Sequence, residues 1–352
     1  MTTHHLFVAV HGQDDNVGDP ALRRAMIQDL GRDLQRHVLV GAASPAYLKA
    51  LALRDDDLIY TKRKDWQKAA LRKASLGRAS YASNSGEMQL HARRHRINRA
   101  DLALIRLIRL RGRGATLFTG VGIRNPEDKP SPTLRAIASL SDMAVWRDQP
   151  SRDFCGAGEV GPDWAFGLYN DDQACETERD SIVLSMRGDN SIPSDKWMRV
   201  VRTLATQSSC QLLTATQVGR DHLRNQEIAK ELNAKDTPWL GDDHLYEEAR
   251  LRSIYRRSRI VISDRLHVLI LAAIEGATPI YLPTDPSCKI PRTLAPVGLD
   301  QFATDPAIQD SETAVESILS LAGKQATLMR NIKDAFRQVN LRKSQMNATL
   351  SR

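Results

Sequence analysis

Arg265 and His267 stand two residues apart in the segment Ser263-Asp264-Arg265-Leu266-His267. The segment separates an apolar run, Arg259–Ser263, from an apolar stretch, Leu266–Glu275, that reads as a helix stopped by Gly276. A second apolar run, Ala277–Leu282, follows, so the whole reads as a strand–helix–strand crossover. Open α/β sheets bind ligands at the carboxyl ends of their strands, and helix N-termini favour anions. An arginine, an imidazole and first-turn N–H groups at such a place could together hold an anion. The plainer alternative is that Arg265 caps a neighbouring carbonyl and His267 is a satisfied, half-buried histidine.

More cations recur in equivalent positions. Arg147 follows the apolar run Asp142–Trp146, Arg187 follows Ser181–Met186, and Lys289 lies in the loop after Leu282. Strand ends lined with Arg147, Arg187, Arg265, Lys289 and His267 suit a small polyanion. No DxD arrangement stands in these loops, no Ser/His/Asp order or cysteine nucleophile can be placed, and no metal site is expected.

The elements that must position these residues alternate regularly. Leu6–Val10 reads as a first strand, followed by HGQDDNVGDPALRRAMIQDL, in which Asp19 reads as an N-cap and Pro20 as a first-turn residue. Asn16 and Gly18 precede that cap, with no GxGxxG and no P-loop lysine. His37–Val40 and Asp57–Tyr60 read as strands, and Ser44-Pro45 as another helix start. Lys64–Leu76 reads as a helix, Gly77–Gly86 as a polar loop, and Gln89–Leu110 as a long basic helix. Ala115–Val121 runs into Gly120 and Gly122, and Arg147-Asp148 precede a helix begun by Pro150. After a polar linker the alternation resumes with Ser181–Met186, Cys210–Thr214 and the crossover around Arg265, and it closes with helices at Glu312–Ala322 and Ala326–Leu341.

Two β/α halves joined by a polar stretch argue for an α/β protein of two Rossmann-like domains facing a cleft. The expected boundaries are residues 1–170 for the N-terminal domain, with a basic helical insertion at 61–113. Residues 171–180 form the linker, 181–325 the C-terminal domain and 326–352 a terminal helix. With 352 residues, each half is long enough for its own core.

The net charge of +8 is local. Between Thr61 and Arg113 there are 15 Lys/Arg and 3 Asp/Glu, a balance of +12; the rest has 35 and 39, a balance of −4. A basic amphipathic segment of this kind suits an anionic membrane, a phosphorylated substrate or nucleic acid, and equally a solvated helical face. No RRM, zinc or helix-turn-helix pattern accompanies it, so nucleic acid is not the expected partner. No run of 18 apolar residues occurs, and MTTHHLFVAVHG lacks a basic region before its short apolar run. Neither a membrane span nor a signal peptide is expected. Cys155, Cys175, Cys210 and Cys288 form no CxxC pair, as in a reduced cytoplasmic protein.

Taken in order, the motifs resemble the polysaccharide pyruvyl transferase family, a GT-B-like family of twin Rossmann domains. The resemblance runs from the first strand to about Leu299. It rests on Asn16-x-Gly18-Asp19, on Gly120 and Gly122, on Arg147-Asp148, and on Asp163-x-Ala165-Phe166. Above all it rests on Ser263-x-Arg265-x-His267 followed by Gly276, Pro279 and Ile280. This chain departs in a glycine-poorer segment and a larger basic insertion.

The resemblance implies transfer of the pyruvyl group of phosphoenolpyruvate onto two hydroxyls of a saccharide, giving a cyclic ketal and phosphate, with no cofactor besides that co-substrate. It suggests His267 as the general acid, since imidazole can carry a proton near neutral pH. Arg147 and Arg265 would meet phosphate and carboxylate, with Lys289 assisting the leaving phosphate and Arg187 completing the anion site. Asp19 or Asp148 would position or deprotonate the acceptor hydroxyl, the competing roles being an N-cap and an ion-pair partner; Asn16 and Gly18 would lie on the acceptor side. The acceptor would be a cell-surface glycan or its lipid-linked precursor, and the expected location is cytoplasmic, peripheral at the inner face of the membrane through 61–113. Two other readings stay open: a GT-B glycosyltransferase using a nucleotide-sugar, and a basic nucleic-acid-binding protein.

Overall fold

The computed structural model describes residues 4–90, 92–126, 131–171, 178–241, 243–282, 289–302 and 310–352. By contacts the chain divides into two units. The first holds residues up to Asp14, Asp19–Trp164 and Arg337–Arg352; the second holds Asp15–Gly18 and Ala165–Phe336.

The first unit is built on β1 (His5–Ala9), α1 (Gly18–Ile27), β2 (Gln35–Leu39), α2 (Pro45–Ala50), β3 (Leu58–Tyr60), α3 (Arg63–Ser75), β4 (Ala79–Ala82) and β5 (Gly86–Met88). It continues through α4 (Ala92–Arg111), β6 (Thr116–Ile123), α5 (Pro132–Leu140), β7 (Met143–Trp146), α6 (Gln149–Cys155) and β8 (Glu159–Val160). The parallel sheet runs β3-β2-β1-β4-β6-β7-β8, with β5 also paired to β6. The connections reverse direction between β1 and β4, which is the topological switch point of this sheet. Helices start where local chemistry allows: Ser44 accepts the Tyr47 N–H ahead of Pro45, and Asp148 accepts the Ser151 N–H ahead of Pro150. Phe7, Trp66, Ile105, Phe118, Leu134 and Trp146 share one core between the sheet and α3, α4 and α5.

Two segments differ from the reading of the sequence. The segment 77–86, read as a polar loop, contains β4, a buried strand between β1 and β6. Its serines look like loop residues but serve the interior: Ser80 Oγ accepts the Ala115 N–H at 3.0 Å and Ser83 Oγ the Thr119 N–H at 3.0 Å. Asp19 is not the N-cap of α1; it lies within the first turn, and Asn16 Oδ1 accepts the Gly18 N–H at 3.0 Å instead. The terminal helix, α13, runs Gln325–Leu350, because Met346 and Leu350 are buried and Asn347 bonds Gly31 N and Asp29 O.

The second unit comprises β9 (Ser181–Ser185), α7 (Asp195–Ser208), β10 (Gln211–Ala215), α8 (His222–Leu232), β11 (Lys235–Thr237) and α9 (His244–Arg256). After these come β12 (Ser258–Ser263), α10 (Leu266–Ile274), β13 (Thr278–Ile280), α11 (Lys289–Leu294) and α12 (Ser311–Ala322), and the first part of α13. Its five strands are all parallel in the order β11-β10-β9-β12-β13, with the switch point between β9 and β12. α10 is apolar all round because all of its residues except His267 are buried. Gly276, at φ +80, ends it in a conformation that favours glycine, and a Cβ there would lie 2.6 Å from Arg179. Lys289, read as a loop residue, opens α11; residues 283–288 before it, Cys288 among them, lie outside the described residues, as do Cys175 and residues 172–177 of the expected linker. Among the described residues no helix is long and apolar enough to cross a membrane.

A pair of buried histidines gives the first unit a pH-dependent stability. His5 Nδ1 and His37 Nε2 are 3.0 Å apart, and His37 Nδ1 meets the Tyr60 hydroxyl at 2.9 Å. The His–His bond is lost when both rings are protonated, and burial lowers both pKa values to about 4. The unfolded chain therefore takes up protons first as pH falls. Stability is complete above about 6.5 and is lost between there and about 4, at up to roughly 2.7 kcal/mol per pH unit if both rings titrate. Urea midpoints across this range should drop steeply for the wild type and less for His37→Gln; equal slopes would contradict the assignment.

Candidate functional site

The carboxyl ends of β9 and β12 meet at the switch point of the second sheet. The Ser263 hydroxyl bonds the Ser185 carbonyl across these two strands and accepts the Arg265 N–H at 2.9 Å, so it pins the turn that carries Arg265. Asp264 is buried beside it: Oδ1 accepts the Arg187 N–H at 2.8 Å and Oδ2 accepts Asn190 Nδ2 at 2.8 Å. Burial pushes the Asp264 carboxyl above the ordinary carboxylate range.

Arg265 is held in a fork. Its Nε and Nη2 donate to Asp221 Oδ2 and Oδ1 at 2.7 and 2.6 Å, and the Gly188 N–H donates to the same Oδ1 at 2.9 Å. The Asp221 side chain is 3% exposed and that of Arg265 12%. Arg187 forms a second fork with Asp189, at 2.9 and 2.6 Å, but Asp189 is largely exposed. The hydrogen bond from Arg187 holds the Asp189 carboxyl at about 2, and Arg265 lies 3.9 Å away from it. Asp189 thus lies between the two guanidinium groups.

His267 is the second residue of α10, where first-turn N–H groups have no intrahelical acceptor. Gly18 is packed against it. The segment Asp15–Gly18 is strapped to the loop after β10 through the Asn16–Val218 bridge, Gly219 N to Asp15 O at 2.7 Å, and Arg220 to Asp15 at 3.1 Å. A Cβ at Gly18 would lie 2.5 Å from His267 Cβ and 2.9 Å from Cγ and Nδ1. Only glycine lets the two approach so closely. Gly18→Ala is therefore expected to displace the imidazole and, where that ring takes part in the chemistry proposed below, to cost about 10- to 100-fold in turnover, on the scale of a misplacement of about 1 Å. The overlap with the His267 Cβ should also lower the melting temperature, by an amount that corresponds to about 1–3 kcal/mol of overpacking. A turnover equal to wild type would show that the contact does not matter.

In the first unit, Arg147 follows β7 and is buried, its Nη1 3.5 Å from Asp163 Oδ2. Asp148 caps α6 through Oδ1. A Cβ at Gly122 would lie 2.3 Å from Arg147 Nε and 2.8 Å from Asp148 Oδ2, so this glycine is required by close approach. A Cβ at Gly120 would meet Trp164 Nε1 at 2.3 Å, and Ser85 lies on the same side. Among the described residues Arg147 Nε, Trp164 Nε1 and Ser85 Oγ are buried with no hydrogen-bond partner, three polar groups around two glycines. At the switch point between β1 and β4, Arg23 is buried, donating to Asn84 Oδ1, Asp19 O and Ser85 O, with Asp19 Oδ1 3.4 Å from Nη1. Asp148 and Asp19 thus perform the N-cap and ion-pair roles weighed against catalysis.

The second unit gathers Arg187, Arg265 and His267 with Asn16 and Gly18, and Lys289 begins the helix after β13. The first holds Asp19, Arg147 and Asp148. Sequence reasoning missed Asp221, Asp264 and Asp189 in one unit and Arg23, Asn84, Ser85 and Trp164 in the other. Asp221 reads as a helix-start acid, and nothing local marks it as the partner of an arginine 44 residues away.

Two parallel, doubly wound sheets define an α/β protein of the GT-B-like class. Similar folds occur in MurG of Acinetobacter baumannii (13% identity, 99% of this chain and 100% of that one, TM-score 0.51). The UDP-GlcNAc 2-epimerase of Neisseria meningitidis, bound to UDP-GlcNAc, is also similar (9% identity, 98% and 99%, TM-score 0.55). At these identities the likeness shows the fold alone. No curated protein matches the chain. The family model of polysaccharide pyruvyl transferase matches residues 16–286, and the chain belongs to that family.

Proposed function

We propose that the protein transfers the pyruvyl group of phosphoenolpyruvate to two hydroxyls of a saccharide in a cell-surface glycan or its lipid-linked precursor, forming a cyclic ketal and releasing phosphate. The observation that supports this most is the grouping of Arg187, Arg265 and His267 at the β9/β12 switch point, on the N-terminus of a buried helix. A dianion with a planar carboxylate needs fixed cations, and the buried Asp221 fork fixes the Arg265 guanidinium, while the exposed Asp189 is the anion that a substrate would displace from Arg187.

In this reading the second unit is the donor side and the first the acceptor side. His267 gives a proton to the methylene carbon of phosphoenolpyruvate. The first hydroxyl adds to C2 and loses its proton to a carboxylate, for which Asp19 and Asp148 are the candidates. Phosphate leaves, helped by Lys289, and the second hydroxyl closes the ketal. Of the two hydroxyl protons, one is matched by the new methyl hydrogen and the other leaves with phosphate. Asn16 and Gly18 are assigned to the placing of His267 and acceptor. The unpartnered Ser85 Oγ and Trp164 Nε1 offer polar contacts of the kind sugar hydroxyls use.

The test is phosphate release from phosphoenolpyruvate with β-galactosides, β-mannosides and glucosides offered singly. Release that depends on one acceptor class is expected. Release at the same rate without a saccharide would remove the reading.

A further inference from the structure

The helical layer of the first unit carries an exposed face that the proposed chemistry does not use. Among the described residues of 61–113, ten Lys/Arg are exposed against one exposed carboxylate, Asp65. The other two acids are engaged: Glu87 with Arg124 at 2.7 Å and Asp101 with Arg63 at 3.2 Å. The C-terminal ends of α3 and α4 lie together, since a Cβ at Gly77 would be 3.5 Å from Arg113 Cδ and 3.7 Å from Arg111 Cβ. At this place Leu76 is 57% and Leu110 81% exposed, and Leu71, more than a turn earlier in α3, is 44% exposed.

Cations alone would suit any polyanion. Leucines set among them narrow the choice, because they gain only where apolar surface leaves water. A nucleic acid would neutralise the arginines and leave the leucines wet. It would also find no stacking platform, since Trp66 and Tyr81, the only Trp, Tyr or Phe residues of 61–113, are buried. We propose that this face docks on an anionic phospholipid bilayer. Arg72, Arg111 and Arg113 meet the phosphates, and Leu76 and Leu110 enter the boundary between headgroups and acyl chains. Long arginine stems allow this, keeping the charge at phosphate level while the apolar part sinks. The inference stands on charge and exposure and does not rest on the reaction proposed above.

The test is co-sedimentation of the full chain with vesicles of phosphatidylcholine alone and of phosphatidylcholine with roughly a third phosphatidylglycerol. Partition onto the anionic vesicles only is expected. Arg111→Glu/Arg113→Glu should lower it by about tenfold or more, as two reversed charges at a surface imply. Leu76→Ser/Leu110→Ser should lower it several-fold, and proportionally more at high salt. Lys64→Glu/Lys68→Glu on the same face should act like the arginine pair, which keeps the test informative if one variant folds poorly; melting temperatures check this. Equal binding to both vesicles, binding unchanged in all three variants, or duplex DNA bound equally by wild type and the leucine variant in place of vesicles would each overturn the proposal.

Discussion

Replacing His267 with glutamine is expected to cut phosphate release from phosphoenolpyruvate by about 10²- to 10⁴-fold, the usual worth of a positioned general acid. Glutamine keeps a polar group of similar reach at the start of α10 but cannot deliver a proton to carbon. The loss should therefore appear in kcat, while binding of phosphoenolpyruvate changes little, because Arg187 and Arg265 are both kept. Titration calorimetry alongside steady-state rates separates the two. A variant with wild-type kcat would assign the proton to another group, and one that loses binding alone would recast His267 as an anion contact.

Asp221→Ala is expected to destabilise the chain by about 3 kcal/mol, the lower end for breaking a buried ion pair. The carboxylate receives two bonds from Arg265 and one from the Gly188 N–H, and its side chain is almost wholly buried. Removing it strands a guanidinium that is itself 12% exposed, with Asp189 at 3.9 Å as the remaining acid. Asp221→Asn keeps one acceptor and should cost less. Urea denaturation measures the first effect. The second follows from position: with its fork gone, Arg265 no longer aims at the anion, so affinity for phosphoenolpyruvate should fall in both variants, more in alanine. A destabilised Asp221→Ala protein that binds as wild type would make the fork structural only.

Much of the fold is legible in the sequence because its strands are apolar runs and its helices carry explicit caps. The crossover at 258–280 reads almost to the residue, since its strands and helix are apolar throughout and Gly276 marks the stop. β4 is not legible. Its Ala-Ser-Tyr-Ala composition hides a central strand whose serine bonds backbone instead of water.

For the site, residue type and place at a strand's end pick out Arg187, Arg265 and His267, because those are local properties. Their partners are distant in the chain. That Gly18 packs against His267, and that Asp221 holds Arg265, depends on the strap from Asp15 to Gly18 and on the loop after β10, which no spacing rule reports. Arg23, Asn84 and Trp164 were missed for a similar reason: each reads as a helix-face, loop or core residue until the first sheet's switch point brings polar groups together.

The most direct measurement is the structure of the product formed in heavy water from phosphoenolpyruvate and the acceptor that supports phosphate release. The expected product is a saccharide carrying a cyclic pyruvate ketal whose methyl group holds one deuterium, formed in step with phosphate and absent with His267→Gln. An enolpyruvyl ether with its methylene intact, or a glycoside made only when a nucleotide-sugar is supplied, would contradict it.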